Sequence, residues 1–190
     1  MRWATIPEEL LREIFLYILG WNDKNFCFFP DHGCPRWMTS LDSRQYPPGS
    51  RTNVLLVCKK WMRIATPVLY EKVHLWNPRG TKAVAQLVKS NPDVGRAIRY
   101  LRLEGGMGRD LYTIVKNAPN IHTLWITPHV RASEGIVGLR KSLALLQPRK
   151  LCLLIRELKR NKSSAEAERL ITLAVAGTWK ELVSNPCLAW

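Results

Sequence analysis

The chain has 190 residues, with 29 Lys and Arg against 15 Asp and Glu, 46% apolar residues and 12 prolines. That length accommodates one or two compact units, and the apolar share argues against global disorder. No apolar run reaches the roughly 20 residues needed to cross a bilayer, and Glu8, Glu9 and Glu13 interrupt the N-terminal apolar stretch where a secretory signal needs an unbroken core.

Five cysteines, at 27, 34, 58, 152 and 187, are odd in number and scattered. They fit a reducing compartment better than a disulfide framework. The net charge of +14 is uneven: residues 1–72 hold 10 basic and 7 acidic side chains, residues 73–190 hold 19 and 8. The excess in the second part draws anionic partners.

Thr5-Ile6-Pro7-Glu8 is a predicted helix start, with Thr5 and Glu8 as a reciprocal capping box. Pro7 is tolerated this early because its missing N–H would have no intrahelical partner. Leu10, Leu11, Ile14, Phe15, Ile18 and Leu19 then recur at helical steps. The stripe is wider than one packing face needs, which predicts two neighbours, one of them another chain. Gly20 is the expected stop. About thirty irregular residues follow, with Pro30, Pro35, Pro47 and Pro48. Helical patterning resumes at Asn53, with Val54, Leu55, Val57, Cys58, Trp61, Ile64 and Ala65 on one side, and Pro67 is expected to break that helix or open the next.

Two blocks carry a resemblance. Ile6-Pro7-Glu8-Glu9-Leu10-Leu11 with Ile14-Phe15 and Ile18 is the first; Leu55-Leu56-Val57-Cys58-Lys59-Lys60-Trp61 with Ala65, Pro67 and Leu69-Tyr70 is the second. Together they resemble the F-box, in the texture found in fungal F-box proteins. The resemblance covers about 4–73, with a Pro-rich insertion at about 20–52 where many F-boxes have a short loop. It implies a small helical module, cytoplasmic or nuclear, that docks on a Skp-type adaptor and through it on the cullin scaffold of an SCF ubiquitin ligase. By position, the implied adaptor contacts are Ile6, Pro7, Leu10, Ile14, Leu55, Val57, Cys58 and Trp61. The competing reading puts Ile14, Val57 and Trp61 in the module's own core.

The remainder, 74–190, carries an internal repeat. Tyr70, Val73, Leu75; Ile98, Leu101, Leu103; Ile121, Leu124, Ile126; and Pro148, Leu151, Leu153 are apolar triplets with steps of three and two. Each suits a strand, and each precedes a stretch of helical periodicity. Asn91-Pro92, Ala118-Pro119 and Gln147-Pro148 punctuate helix ends. The spacing lies in or close to the range of leucine-rich repeats, and the pattern resembles a degenerate form of those repeats, which follow many F-boxes. The expected fold is therefore α+β: an all-helical F-box, then a short α/β solenoid. A fifth unit begins near Trp179 and Leu182 without an evident cap, so the expectation is a solenoid cut short at its C-terminus and poorly soluble alone.

If the triplets point inward, the alternate residues form outward columns: Lys72, Tyr100, Thr123, Lys150; then His74, Arg102, Trp125, Cys152; then Trp76, Glu104, Thr127, Leu154. Cations interleaved with aromatics suit an acidic or phosphorylated target protein, and Lys72, His74, Tyr100, Arg102, Trp125 and Lys150 are the candidate contacts. A solvated sheet face without a ligand is the plain alternative. A basic nucleic-acid-associated protein is a second function class, although no nucleic-acid fold signature accompanies the charge; an adaptor-binding protein with no role in degradation is a third.

Cys27, His32 and Cys34 are too few for a structural zinc site, so no metal or cofactor is expected. Glu104-Gly105-Gly106-Met107-Gly108 lacks the third glycine of a dinucleotide fingerprint, with Leu111 in its place, and is read as a turn. The histidines at 32, 74, 122 and 129 are dispersed and no nucleophile elbow is present, so no enzyme is expected.

Overall fold

A computed structural model describes residues 6–19, 52–131, 134–154, 161–183 and 187–189. The chain divides into two compact units, Met1–Leu69 and Tyr70–Trp190. It mixes helices with a five-stranded sheet.

The first unit is helical. Helix α1 spans Glu8–Leu19, and its first intrahelical bond runs from the Leu11 amide to the Pro7 carbonyl, 3.1 Å. Pro7 thus stands where a missing N–H costs nothing. Glu8 and Glu9 occupy the first turn, where carboxylates complement the helix dipole. Thr5, Gly20, Cys27, His32, Cys34 and the Pro-rich insertion lie outside the described residues. A 3₁₀ turn, Thr52–Leu56, precedes helix α2, Lys59–Tyr70.

Two expectations need correction here. The helix predicted from Asn53 is interrupted between Leu56 and Lys59, and Pro67 neither ends nor opens a helix but lies inside α2. Proline removes the amide that the Arg63 carbonyl would otherwise accept one turn on. With only three residues left before the helix end, little of the ladder is lost.

Leu11, Phe15, Leu19, Ala65 and Val68 form the buried core of this unit, with Ile6, Leu55, Trp61 and Ile64 packed against it. Phe15 and Trp61 meet edge to face at 5.2 Å. The Lys60 ammonium donates to the Ile6 carbonyl, 2.9 Å, and Arg63 pairs with Glu8. Both contacts tie α2 to the start of α1.

The second unit alternates strands and helices: β1 Lys72–Leu75, α3 Pro78–Ser90, α4 Pro92–Ala97, β2 Tyr100–Leu103, α5 Arg109–Asn117, β3 Thr123–Ile126, α6 Val137–Leu143, β4 Lys150–Leu154, α7 Lys162–Leu173 and β5 Cys187–Ala189. The sheet order is β1-β2-β3-β4-β5 and every neighbouring pair is parallel. The register sets Val73, Leu101, Leu124 and Leu151 side by side, and likewise Leu75, Leu103, Ile126 and Leu153. These are the inner members of the repeated triplets, and they bury against Ala85, Val88, Leu111, Ile114, Val115, Leu139, Leu143 and Ile171 of the helices.

The helix starts explain much of the local order. Asn77 accepts from the Gly80 amide, Asn91 from the Asp93 amide and Asn161 from the Ser164 amide, each satisfying a donor that lacks an intrahelical acceptor. The dipeptide Asn91-Pro92, read from sequence as a helix end, therefore does two things: it closes α3 and caps α4, a helix the periodicity did not disclose. The residue expected to open a fifth unit, Trp179, is 4% exposed and belongs to this core. It follows a π-helical turn, Ala174–Thr178, and its indole donates to the Leu143 carbonyl, 3.1 Å. The fifth strand comes later, at Cys187–Ala189.

Candidate functional site

Helix α1 carries two apolar stripes. Leu11, Phe15 and Leu19, one turn apart, are buried; Leu10, Ile14 and Ile18, also one turn apart, are 57%, 45% and 43% exposed. Tyr17 is exposed beside them, and Val57 and Met62 are exposed on the segment that follows the 3₁₀ turn. A helix that needed only its own core would carry polar residues on the second stripe.

The eight candidate adaptor contacts therefore separate. Pro7, Leu10, Ile14, Val57 and Cys58 are exposed; Ile6, Leu55 and Trp61 are half-buried on the unit's own core. Cys58 is exposed where the helical backbone is interrupted between the 3₁₀ turn and α2. Trp61 stands on Phe15, so its role is at least partly internal packing.

On the sheet, the columns read from sequence are the observed register: Lys72, Tyr100, Thr123 and Lys150 align, as do His74, Arg102, Trp125 and Cys152. Their exposure differs from expectation. The second column is not an open face: Arg102 is 1% exposed, Trp125 7% and Cys152 6%. Strands lie about 4.8 Å apart, so large side chains in one column pack on each other. Trp125 also stacks beside Tyr100, 6.3 Å between centroids. The Glu104 carboxylate accepts from Arg102 at 2.5 Å and stands 3.2 Å from His74 Nε2. Arg102 and Glu104 are thus a desolvated ion pair, and truncating one member leaves charge in an apolar setting. Substituting Arg102 is consequently a test of folding as well as of binding.

The first column is more open. Lys150 is exposed, Lys72 and Tyr100 are half-buried, and Lys72 sits 5.0 Å from the Tyr100 ring centre. One residue earlier in each repeat stand Glu71, Arg99, His122 and Arg149. Backbone bonds continue the ladder through them: the Arg99 amide donates to the Glu71 carbonyl, His122 to Arg99, and Arg149 to His122, at 2.9, 3.0 and 2.8 Å. Sequence reasoning stopped at the strand triplets and missed this row; the shared spacing of 99, 122 and 149 was the available signal. Burial holds the His122 imidazole below its ordinary pKa, and the fields of Arg99, Arg149 and Lys150 act in the same direction against Glu71. The His122 Nδ1 lies 2.8 Å from the Thr123 hydroxyl, and its ring meets Tyr100 edge to face at 4.9 Å.

The glycine loop after β2 is a tight turn. Gly106 has φ of 67°, a side chain on Gly105 would strike the Trp76 carbonyl, and one on Gly106 would strike Thr81. The Gly106 amide donates to Glu134 at 2.8 Å. A small cleft of about 190 Å³ opens here, lined by Pro78, Thr81, Gly106, Gly108, Asp110, Glu134 and Gly135. Its two carboxylates disfavour a phosphate ligand, so the turn reading is the better one. Among the described residues no cluster of three or more metal-ligating side chains occurs, and no helix is long and apolar enough to cross a membrane. No family model, no curated protein and no solved structure matches this chain.

Proposed function

We propose that the chain is the target-recognition subunit of an SCF-type ubiquitin ligase. Its helical unit docks on a Skp-type adaptor and its strand–helix unit holds the target protein. The observation that carries the reading is the second apolar stripe of α1, Leu10, Ile14 and Ile18, left outside the core that Leu11, Phe15 and Leu19 complete. An apolar helix face left exposed, in a unit that also exposes Val57 and Met62, is the kind of surface that a partner covers. The F-box texture of the two blocks supports the choice of partner. The subunit performs no bond chemistry in this scheme. It raises the local concentration of target lysines near the charged conjugating enzyme.

Co-purification of the full chain with a Skp-type adaptor is the direct test. Leu10→Ala with Ile14→Asp is expected to reduce capture at least about ten-fold, because both side chains would lie in a desolvated interface, while the thermal midpoint stays within a few degrees of the parent. Undiminished capture by this variant refutes the assignment.

A further inference from the structure

We infer that the row Arg99, His122 and Arg149, with Lys150 beside it, is a binding site for a short acidic peptide segment whose carboxylates recur at every third residue. The inference deepens the proposed recognition role and rests on it for its biological meaning.

The row is built by the fold. One cationic or protonatable residue stands just before each of three successive strands, at a level fixed by the amide-to-carbonyl bonds that link 99, 122 and 149. Arg99 and Lys150 are exposed, and the Arg149 side chain is 71% exposed. Among the described residues, Arg149 pairs with Glu181 at 3.4 Å in solvent, a type of contact that contributes little and yields to a better ligand. The Tyr100 ring meets His122 of the row edge to face, and Lys72 rests against Tyr100.

Spacing and sign define the occupant. Arg99 and Arg149 stand two strands apart, roughly 9.5 Å. A polyproline II chain brings every third side chain to the same face after about 9.3 Å, so two carboxylates at that interval face the two guanidiniums, with His122 between them. Glu71 closes the row on one side and Glu181 pairs with its last arginine. That bracket of carboxylates limits the anionic stretch to a few residues and opposes a long uniform polyanion such as nucleic acid.

Fluorescence anisotropy on the full chain tests this, with three labelled probes: an acetylated peptide of four Glu-Pro-Pro repeats, a peptide of the same composition with its glutamates in one block, and a twelve-nucleotide single-stranded RNA. The repeat peptide is expected to bind tightest, and Arg99→Gln with Arg149→Gln to weaken it by about ten-fold or more. Saturating repeat peptide should also raise the pKa of His122 in the parent chain, followed by NMR. Preference for the RNA or the blocked peptide, undiminished binding by the double variant, or an unmoved His122 titration each overturns the inference. Adaptor capture measured in parallel separates the two readings. A chain that captures the adaptor but ignores the peptide overturns this inference alone; one that binds the peptide but not the adaptor overturns the proposed ligase role alone.

Discussion

His122 shows how a single side chain reports on its surroundings. Burial and three neighbouring cations disfavour its protonated form in the folded chain. Between its lowered folded pKa and the unfolded value near about 6.5, the unfolded chain binds more protons. Stability is therefore whole above about pH 6.5, falls as pH drops through that window and levels off below the folded pKa. Urea midpoints of the parent at about pH 7.5, 6.5 and 5.5 should decline with acidity, and His122→Gln should flatten part of that decline. An equal decline in both proteins would show that His122 carries none of it. Glu104 makes a different point. It contacts both Arg102 and His74 of the second column, and nothing in the sequence marks it for that role beyond its place in a column and ahead of the glycine turn. Burial of Arg102 depends on side-chain packing across strands, which periodicity does not encode.

At the scale of elements, α1 sets a buried apolar stripe beside an exposed one on a single helix. Leu11→Ala removes a side chain that is 1% exposed and should cost about 2–5 kcal/mol. Leu10→Ala, at a position 57% exposed, should change stability by about 0.5 kcal/mol or less. Denaturant titration of the two variants checks the contrast; equal losses would mean that the outer stripe is enclosed. The strands were the most legible elements, because a triplet with steps of three and two repeats four times and places both its own apolar ladder and the columns between. The break after Leu56, the passage of α2 through Pro67, and α4 were not legible. Each depends on where a local hydrogen bond finds its partner: the periodic pattern around Asn53 continues through a backbone that does not, and Asn91 caps a helix that one buried valine, Val94, anchors. Trp179 misled for a similar reason, since an indole suited to opening a new unit instead seals the preceding one.

For the whole molecule, the excess of positive charge resides in the strand–helix unit, and the row Arg99, His122 and Arg149 sets part of it at one level of the sheet. The same unit has an uneven grip on its strands. Strands β2 and β3 are paired on both sides and lined by Leu101, Leu103, Leu124 and Ile126, all fully buried. Their amides should exchange with solvent most slowly in the chain, with β1 and β5, at the sheet margins, faster. Hydrogen-exchange mass spectrometry resolves these segments, and faster exchange in β3 than in β1 would contradict the packing. Because succession in space repeats succession along the chain, threading never has to double back. Duplicating one strand with its helix would lengthen the sheet without re-routing any connection, and a change at exposed Arg99 or Arg149 would leave the interior as it was. An architecture of that kind can grow or shrink in small steps, each step coded by a stretch of gene no longer than one such segment.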